Sequence, residues 1–260
     1  MLPPEKGESI GKCTFHHDFD FKSVPTSIYD LPPFPGFPDQ GLAFLRALPD
    51  NNDRDWFEER RDIYENDVRQ PLKLLVADVA RRFKDTDLPL TGHPNTSRFR
   101  IYRDMRFTDD SRPYKTNVGA VFDRSGEKDA PGVVYVHVEP GNCFLAAGFY
   151  QPSVPYLKPI RQEMAADPDR FYDLLDTMAS RDLPVTSMDD TLTGMPRGFH
   201  DYRDDEIASY LKWQHLLTRR AYDDAALQSP DFAETIVDFA QACQPLLDYV
   251  WGEEDGWNDE

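Results

Sequence analysis

The stretch VGAVFDRSGEKDAPGVVYVHVEPGNCFLAAGF, Val118 to Phe149, decides the fold. Its apolar residues recur with a period of two, the spacing of strands in which successive side chains point to opposite sides of a sheet. Three strands are read from it: Val118 to Phe122, Val133 to Val138 and Phe144 to Phe149. Asp123-Arg124-Ser125-Gly126 and Glu139-Pro140-Gly141-Asn142 carry tight-turn chemistry. Connections that short require antiparallel pairing, because parallel strands need crossover helices. Upstream, Phe99-Ile101-Arg103 repeats the alternation and predicts a fourth strand.

Outward from this core the period changes to that of helices. Leu42, Phe44, Leu45 and Leu48 share one helical face that Asn51-Asn52 ends. Asp55-Trp56-Phe57-Glu58 resembles a capping box opening a second helix, with Trp56, Phe57, Ile63 and Tyr64 buried. Pro71 starts or kinks a third, Leu72 to Phe83. Downstream, Asp167-Pro168 and Ser229-Pro230 each set a cap residue before a proline at the first helical position. The final helix is expected over Pro230 to Val250. The fold class is therefore α+β: a single domain with a central antiparallel β-meander flanked by N-terminal and C-terminal helices. It occupies 37–251, between a Pro-rich N-terminal extension (1–36) and an acidic tail (252–260). Within the extension, Phe15, His17, Phe19 and Phe21 alternate with Thr14, His16, Asp18 and Asp20, which suggests an edge strand.

The 17 Phe, 12 Tyr and 4 Trp among 260 residues can fill a substantial core. A formal net charge of −18 disfavours nucleic-acid backbones and anionic membranes, so neither partner is expected. Genomic base composition or salt adaptation would give the same bias without functional meaning. Cys13, Cys143 and Cys243 are widely spaced and odd in number, which argues against a disulfide framework or structural zinc. With no apolar leader and no long apolar run, the chain reads as cytoplasmic.

Against that acidic background, Arg98, Arg100, Arg103, Arg106, Arg112 and Lys115 gather in one stretch. Repulsion and desolvation must be offset by internal carboxylates or by a bound anion. If Phe99 and Ile101 face the core, Arg100, Tyr102 and Asp104 lie on the opposite face. Val134, Val136 and Val138 likewise leave Tyr135, His137 and Glu139 opposite them. A polar face of Arg100, Tyr102, Asp104, His137 and Glu139 would suit phosphate or carboxylate, which guanidinium forks match. The alternative is an internal network with Asp104, Asp109, Asp110 and Glu139. The loop ending in Pro113-Tyr114-Lys115 either closes over the anion or anchors a long connection. His137-x-Glu139 could supply a general base and acid or two ligands of a metal, but a histidine merely satisfied by neighbouring carboxylates is a commoner outcome than a metal site, and His16-His17-Asp18 is a weak metal motif. Neither a metal nor a cofactor is expected. Cys143 reads as a small buried hydrophobe rather than a nucleophile. No GxSxG elbow, Walker loop, GxGxxG fingerprint or HExxH helix occurs.

Several motifs resemble one family. They run through Asn51-Asn52-x-x-x-Trp56-Phe57, Arg103-Asp104-x-Arg106-Phe107, Pro113-Tyr114-Lys115-Thr116 and His137-Val138-Glu139-Pro140-Gly141. Gly148 to Pro152, Leu157-x-x-Ile160-Arg161 and Pro196-Arg197-Gly198-Phe199 continue the match. The pattern resembles the conserved-hypothetical family called domain of unknown function 2461, over about residues 37–250. That resemblance supports the fold and the place of a site, and implies no particular reaction. Arg161 and Arg197, both in such motifs, either complete an anion pocket or bind a helix end or carbonyl.

Two functions follow. The first is an enzyme acting on a small anionic substrate, with Arg100, Arg103, Arg106, Tyr114, Lys115, Arg161 and Arg197 binding it. His137 and Glu139 would transfer the proton and Asp104 would orient them. The second is a non-catalytic ligand-binding or protein-interaction module whose arginines form a structural network with carboxylates.

Overall fold

The computed structural model describes residues 27–104, 112–126 and 132–255. Four strands form one antiparallel sheet in the order β1 (Val118–Phe122), β2 (Val133–Val138), β3 (Cys143–Phe149) and β4 (Leu216–Tyr222). The meander expected from the turns is β1 to β3. Asp123 Oδ1 accepts from the Ser125 and Gly126 amides to start the first connection. The second is a tight turn in which the Asn142 N–H reaches the Glu139 carbonyl at 2.8 Å, with Gly141 at φ +83°. Pro at the second and Gly at the third position are what a type II turn requires.

Register sorts the side chains. Ala120, Val136 and Leu145 lie opposite one another on one face; Gly119, His137 and Phe144 do so on the other. On the first face, Val118, Ala120, Phe122, Val134, Val136, Val138, Leu145, Ala147 and Phe149 are buried. Each large side chain removed from water there contributes roughly 1.5–3 kcal/mol. Helices cover that face. α1 (Asp39–Ala47), α2 (Arg54–Glu59) and α3 (Arg61–Ile63) lead into a π-helix (Tyr64–Arg69) and α4 (Gln70–Phe83), which packs on β1. After β3 come α5 (Val154–Ala166), α6 (Pro168–Ser180) and the short α7 (Ala208–Leu211). After β4 come α8 (Asp224–Gln228), α9 (Phe232–Ala242) and α10 (Gln244–Asp255), the last two packing on β3.

Several expectations need correction. Residues 99–103 are not a strand: the segment touches β1 only through an isolated bridge, Arg98 to Ala120, and pairs Tyr102 with Tyr114. The fourth strand is instead β4, far along the chain. The long terminal helix breaks at Cys243, because Pro245 has no N–H to continue α9 and sits in the first turn of α10. The cap of α2 is Asp53, whose carboxylate accepts from the Trp56 amide at 2.9 Å, rather than Asp55. Asp167 caps α6 as expected. The Pro-rich run placed in the extension packs into the body: Leu31, Phe34 and Phe37 are buried core residues. Asp78 of α4 accepts from the Phe34 amide at 3.0 Å, and Arg81 donates to the Ile28 and Leu31 carbonyls. The strand proposed around Phe15 to Phe21 and the acidic residues after 255 lie outside the described residues.

Candidate functional site

The second face of the sheet carries the polar side chains. β2 directs Tyr135 and His137 there, and Glu139 follows at the start of the turn. Gly119 makes room for them: a Cβ at that position would stand 2.8 Å from the Tyr135 hydroxyl. His137 stacks on Phe144, its cross-strand neighbour, with ring centroids 4.5 Å apart and planes at 13°. The Arg219 guanidinium of β4 lies 4.4 Å from the Phe144 ring centre. On the other side Phe99 meets Tyr135 edge-on at 5.8 Å, and Lys115 Nζ lies 5.6 Å from the Phe99 ring. A row of four rings, Phe99, Tyr135, His137 and Phe144, therefore crosses the sheet with a cation at each end.

One hydrogen-bonded chain runs through the row. Tyr135 Oη lies 2.9 Å from His137 Nδ1, and His137 Nε2 lies 3.3 Å from Glu139 Oε2. A carboxylate only accepts, so Nε2 carries the imidazole hydrogen and Nδ1 accepts from the phenol. Asn117 places its amide nitrogen 3.4 Å from the same Nδ1. Thr116 Oγ1 and Asn142 Nδ2 donate to Glu139 at 2.6 and 2.8 Å. Burial raises the Glu139 carboxyl, but these hydrogen bonds outweigh it and hold the group below the ordinary glutamate range. Burial dominates at His137 and lowers its pKa; Glu139 opposes this and Arg219 adds to it. Burial, then the nearby Glu139 charge, pushes Tyr135 up to about 12. The chain is thus a carboxylate, a neutral imidazole and a neutral phenol.

The titration of His137 is predictable in sign. Its folded pKa lies below the ordinary 6.5, so the unfolded chain binds the proton more readily. The contribution to stability is complete above pH 6.5 and is lost as pH falls from there through the folded value. An NMR titration of the His137 ring should show protonation beginning below pH 6.5, and His137→Gln should flatten that part of the stability–pH curve. A ring that titrates above that value would contradict the geometry.

The cations beside this chain come from the segment that runs along β1. Burial, followed by the charges of Arg100 and Arg103, lowers the Lys115 pKa. Two backbone bonds hold the segment as a ribbon: Arg103 N–H to the Pro113 carbonyl at 2.9 Å and Lys115 N–H to the Ile101 carbonyl at 2.8 Å. Asn52 clamps it further, donating to the Tyr114 carbonyl and accepting from the Tyr114 amide, both at 3.0 Å. Tyr114, expected to bind substrate, is only 2% exposed and stacks on Phe57 at 4.0 Å, so it anchors the ribbon. Phe99 was expected in the core and instead lies half-buried against Tyr135.

The other expected site residues are scattered. Asp104 is exposed at the end of a described stretch, and the contact that orients His137 comes from Glu139. Arg106, with His16 and His17, lies outside the described residues. Arg161, 7% exposed, donates to the Trp213 carbonyl at 2.9 Å, the carbonyl-binding alternative rather than the anion pocket. Arg197 sits exposed in a turn before Phe199. Cys143 is buried, with burial first among the causes that push its thiol up to about 11.

Sequence reasoning missed Thr116, Asn117, Asn142, Phe144 and Arg219 at this site. Phe144 was legible from its register with His137. Arg219 was not, because β4 was not recognised. A second histidine also escaped notice. His215 bonds Asp190 through Nε2 at 2.9 Å and accepts the Gln151 amide on Nδ1 at 2.8 Å. Both nitrogens are committed and Tyr150 stacks on the ring at 4.8 Å, so this histidine ties loops together.

The chain matches the family model described as Conserved hypothetical protein (DUF2461) over residues 40–249, a span that holds every residue of the Tyr135–His137–Glu139 chain. No curated protein and no solved structure matches it.

Proposed function

We propose, starting from the fact that this chain belongs to the conserved hypothetical protein family DUF2461, that it is an enzyme acting on a small phosphate- or carboxylate-bearing substrate. Family membership supplies no reaction, so the reading rests on the sheet face. The observation that carries it is the Tyr135–His137–Glu139 chain on a partly exposed face bordered by Lys115 and Arg219. Lys115, with Arg100 and Arg103 beside it, would hold the anion from one side and Arg219 from the other. His137 is the base. Tyr135 accepts a proton from the substrate as its own passes to His137 Nδ1, so no free tyrosinate forms. Glu139 stabilises the resulting imidazolium, in the manner of a base oriented by a third group. A step of this kind typically contributes about 10²–10⁴ in rate.

A small-molecule partner in the cytoplasm, rather than nucleic acid, fits the net charge of −18 and the free buried thiols of Cys143 and Cys243. The test is a thermal-shift panel of small phosphomonoesters and carboxylates. At least one should raise the Tm of the wild-type protein and leave a Lys115→Ala/Arg219→Ala double variant unmoved. If no compound shifts the wild type, or the double variant responds equally, the assignment fails. Binding that depends on these cations but proceeds without turnover would support the non-catalytic module instead.

A further inference from the structure

A cavity of about 230 Å³ opens between the joint of α5 with α6 and the turns that lead into α7. Ala165, Pro168 and Tyr172 line it from one side, and Tyr202, Asp205, Glu206 and Ile207 from the other. We propose that it is a second binding site, separate from the sheet face, that takes a small alkylated ammonium ion of the choline class, free in solution.

The lining divides by chemistry, and each part bears on the ligand. Ala165, Pro168 and Ile207 are apolar, with Ile207 fully buried. Tyr172 and Tyr202 are half-buried rings. Asp205 and Glu206 are exposed, and neither carboxylate makes a hydrogen bond or ion pair among the described residues. No lysine or arginine lines the cavity among those residues. The start of α6 offers little to an anion either. Pro168 has no N–H to give, and Asp167 already accepts from the Arg170 amide at 3.1 Å. The local field therefore disfavours anions and favours cations.

Aromatic rings attract cations through their electron-rich faces, and quaternary ammonium is the ion that such sites are best known to take. A bare ammonium is strongly hydrated and would leave the apolar walls unused. Both rings are held in place. Tyr172 meets Tyr210 edge-on at 5.8 Å, and Tyr210 in turn meets Trp213 at 5.0 Å. Tyr202 ends a short 3-10 helix, His200–Tyr202, that follows Pro196-Arg197-Gly198-Phe199. The sheet face leaves that motif without a role. Here Gly198, at φ +91°, turns the chain and Phe199 is buried. The Tyr202 amide then bonds the Phe199 carbonyl at 3.2 Å, and the Asp205 amide bonds the Tyr202 carbonyl at 3.1 Å. One run of turns thus mounts a ring and a carboxylate together. Burial comes first among the causes that raise the Tyr172 pKa, and the Glu206 charge comes next. Size narrows the ligand. At roughly 30 Å³ per water the space equals about eight waters, room for a trimethylammonium group with a short tail and below the roughly 300 Å³ of sites for larger ligands.

Isothermal titration of the full chain with choline at constant ionic strength tests this. Dimethylbutanol, the uncharged carbon isostere of choline, and ammonium chloride are the comparison arms. Choline should bind, and each comparison compound should bind at least about tenfold more weakly. Tyr172→Leu should weaken choline binding about fivefold or more, and so should the double variant Asp205→Asn/Glu206→Gln. Because Tyr172 also packs on Tyr210, circular dichroism checks that its variant is folded; the two carboxylates are exposed, so their variant tests the site without touching the core. The Lys115→Ala/Arg219→Ala variant should bind choline as the wild type does, so failure here and failure of the sheet-face reading remain separable. No binding of choline, equal binding of dimethylbutanol or ammonium, or unchanged affinity in either a folded Tyr172→Leu or the carboxylate variant would overturn the site. Tighter binding of phosphatidylcholine vesicles than of choline would overturn the free-ligand assignment.

Discussion

Gly148→Ala will lower the melting temperature by about 8–16 °C. Gly148 lies inside β3 with φ +123°, a backbone conformation that disfavours any side chain. A Cβ there would stand 2.2 Å from the Leu216 carbonyl oxygen and 2.8 Å from the Leu217 Cα. Those are backbone atoms of β4, which cannot swing aside as a side-chain tip can. Backbone strain costs of order 1–3 kcal/mol and overpacking about as much again. A total near 4 kcal/mol, at about 2–4 °C per kcal/mol for a domain of this size, gives the shift. Gly141→Ala is the control. Its φ of +83° brings similar strain, yet nothing lies within 4 Å of the added Cβ. Calorimetry or urea unfolding that found the two variants equally stable would show that β4 does not press on β3 as described.

The second large effect is on turnover. With an anion identified by thermal shift as substrate, His137→Ala should reduce kcat by about 10²–10⁴, or roughly 3–5.5 kcal/mol of transition-state stabilisation. Tyr135→Phe should come close to this, because it removes the hydroxyl 2.9 Å from His137 Nδ1 while keeping the ring that meets Phe99. Glu139→Gln should lower kcat less, since the amide still offers His137 an oxygen but no charge to steady the imidazolium. Lys115→Ala should act mainly through KM. Full activity in Tyr135→Phe would remove the relay and leave His137 acting directly. Full activity in His137→Ala would end the catalytic reading altogether.

The sheet was legible where its two faces differ most in polarity. Val134, Val136 and Val138 alternate with Tyr135 and His137, so period, face and register could all be read from β2. β4 was hidden because its first half, Leu216-Leu217-Thr218, is continuously buried and so shows no alternation of apolar with polar residues, and Arg219-Arg220 follows with none either. Its partner β3 is also separated from it by α5, α6 and α7, a connection that no short turn announces. The Arg98 to Arg103 segment misled for the opposite reason. It alternates like a strand but contacts β1 through little more than one bridge, leaving each side chain to turn independently. Arg98 thus enters the helical side while Phe99 lies on the open face. The candidate site shows the same limit. His137 and Glu139 were placed correctly on one face, whereas the hydrogen bonds that orient them come from Thr116, Asn117 and Asn142, whose roles depend on three-dimensional register alone.

The strap formed by Ile28 to Phe37 has a consequence for how the protein is handled. The family match begins at residue 40, so the portion that recurs among relatives is shorter than the portion that folds here. A fragment trimmed to the matched region would strip Phe34 and Phe37 from the core and bare the apolar groove beneath them. It would also leave the Asp78 carboxylate without the Phe34 amide that meets it. Such a fragment would be sticky for reasons unrelated to its chemistry, and insolubility in it would say nothing about the sheet face.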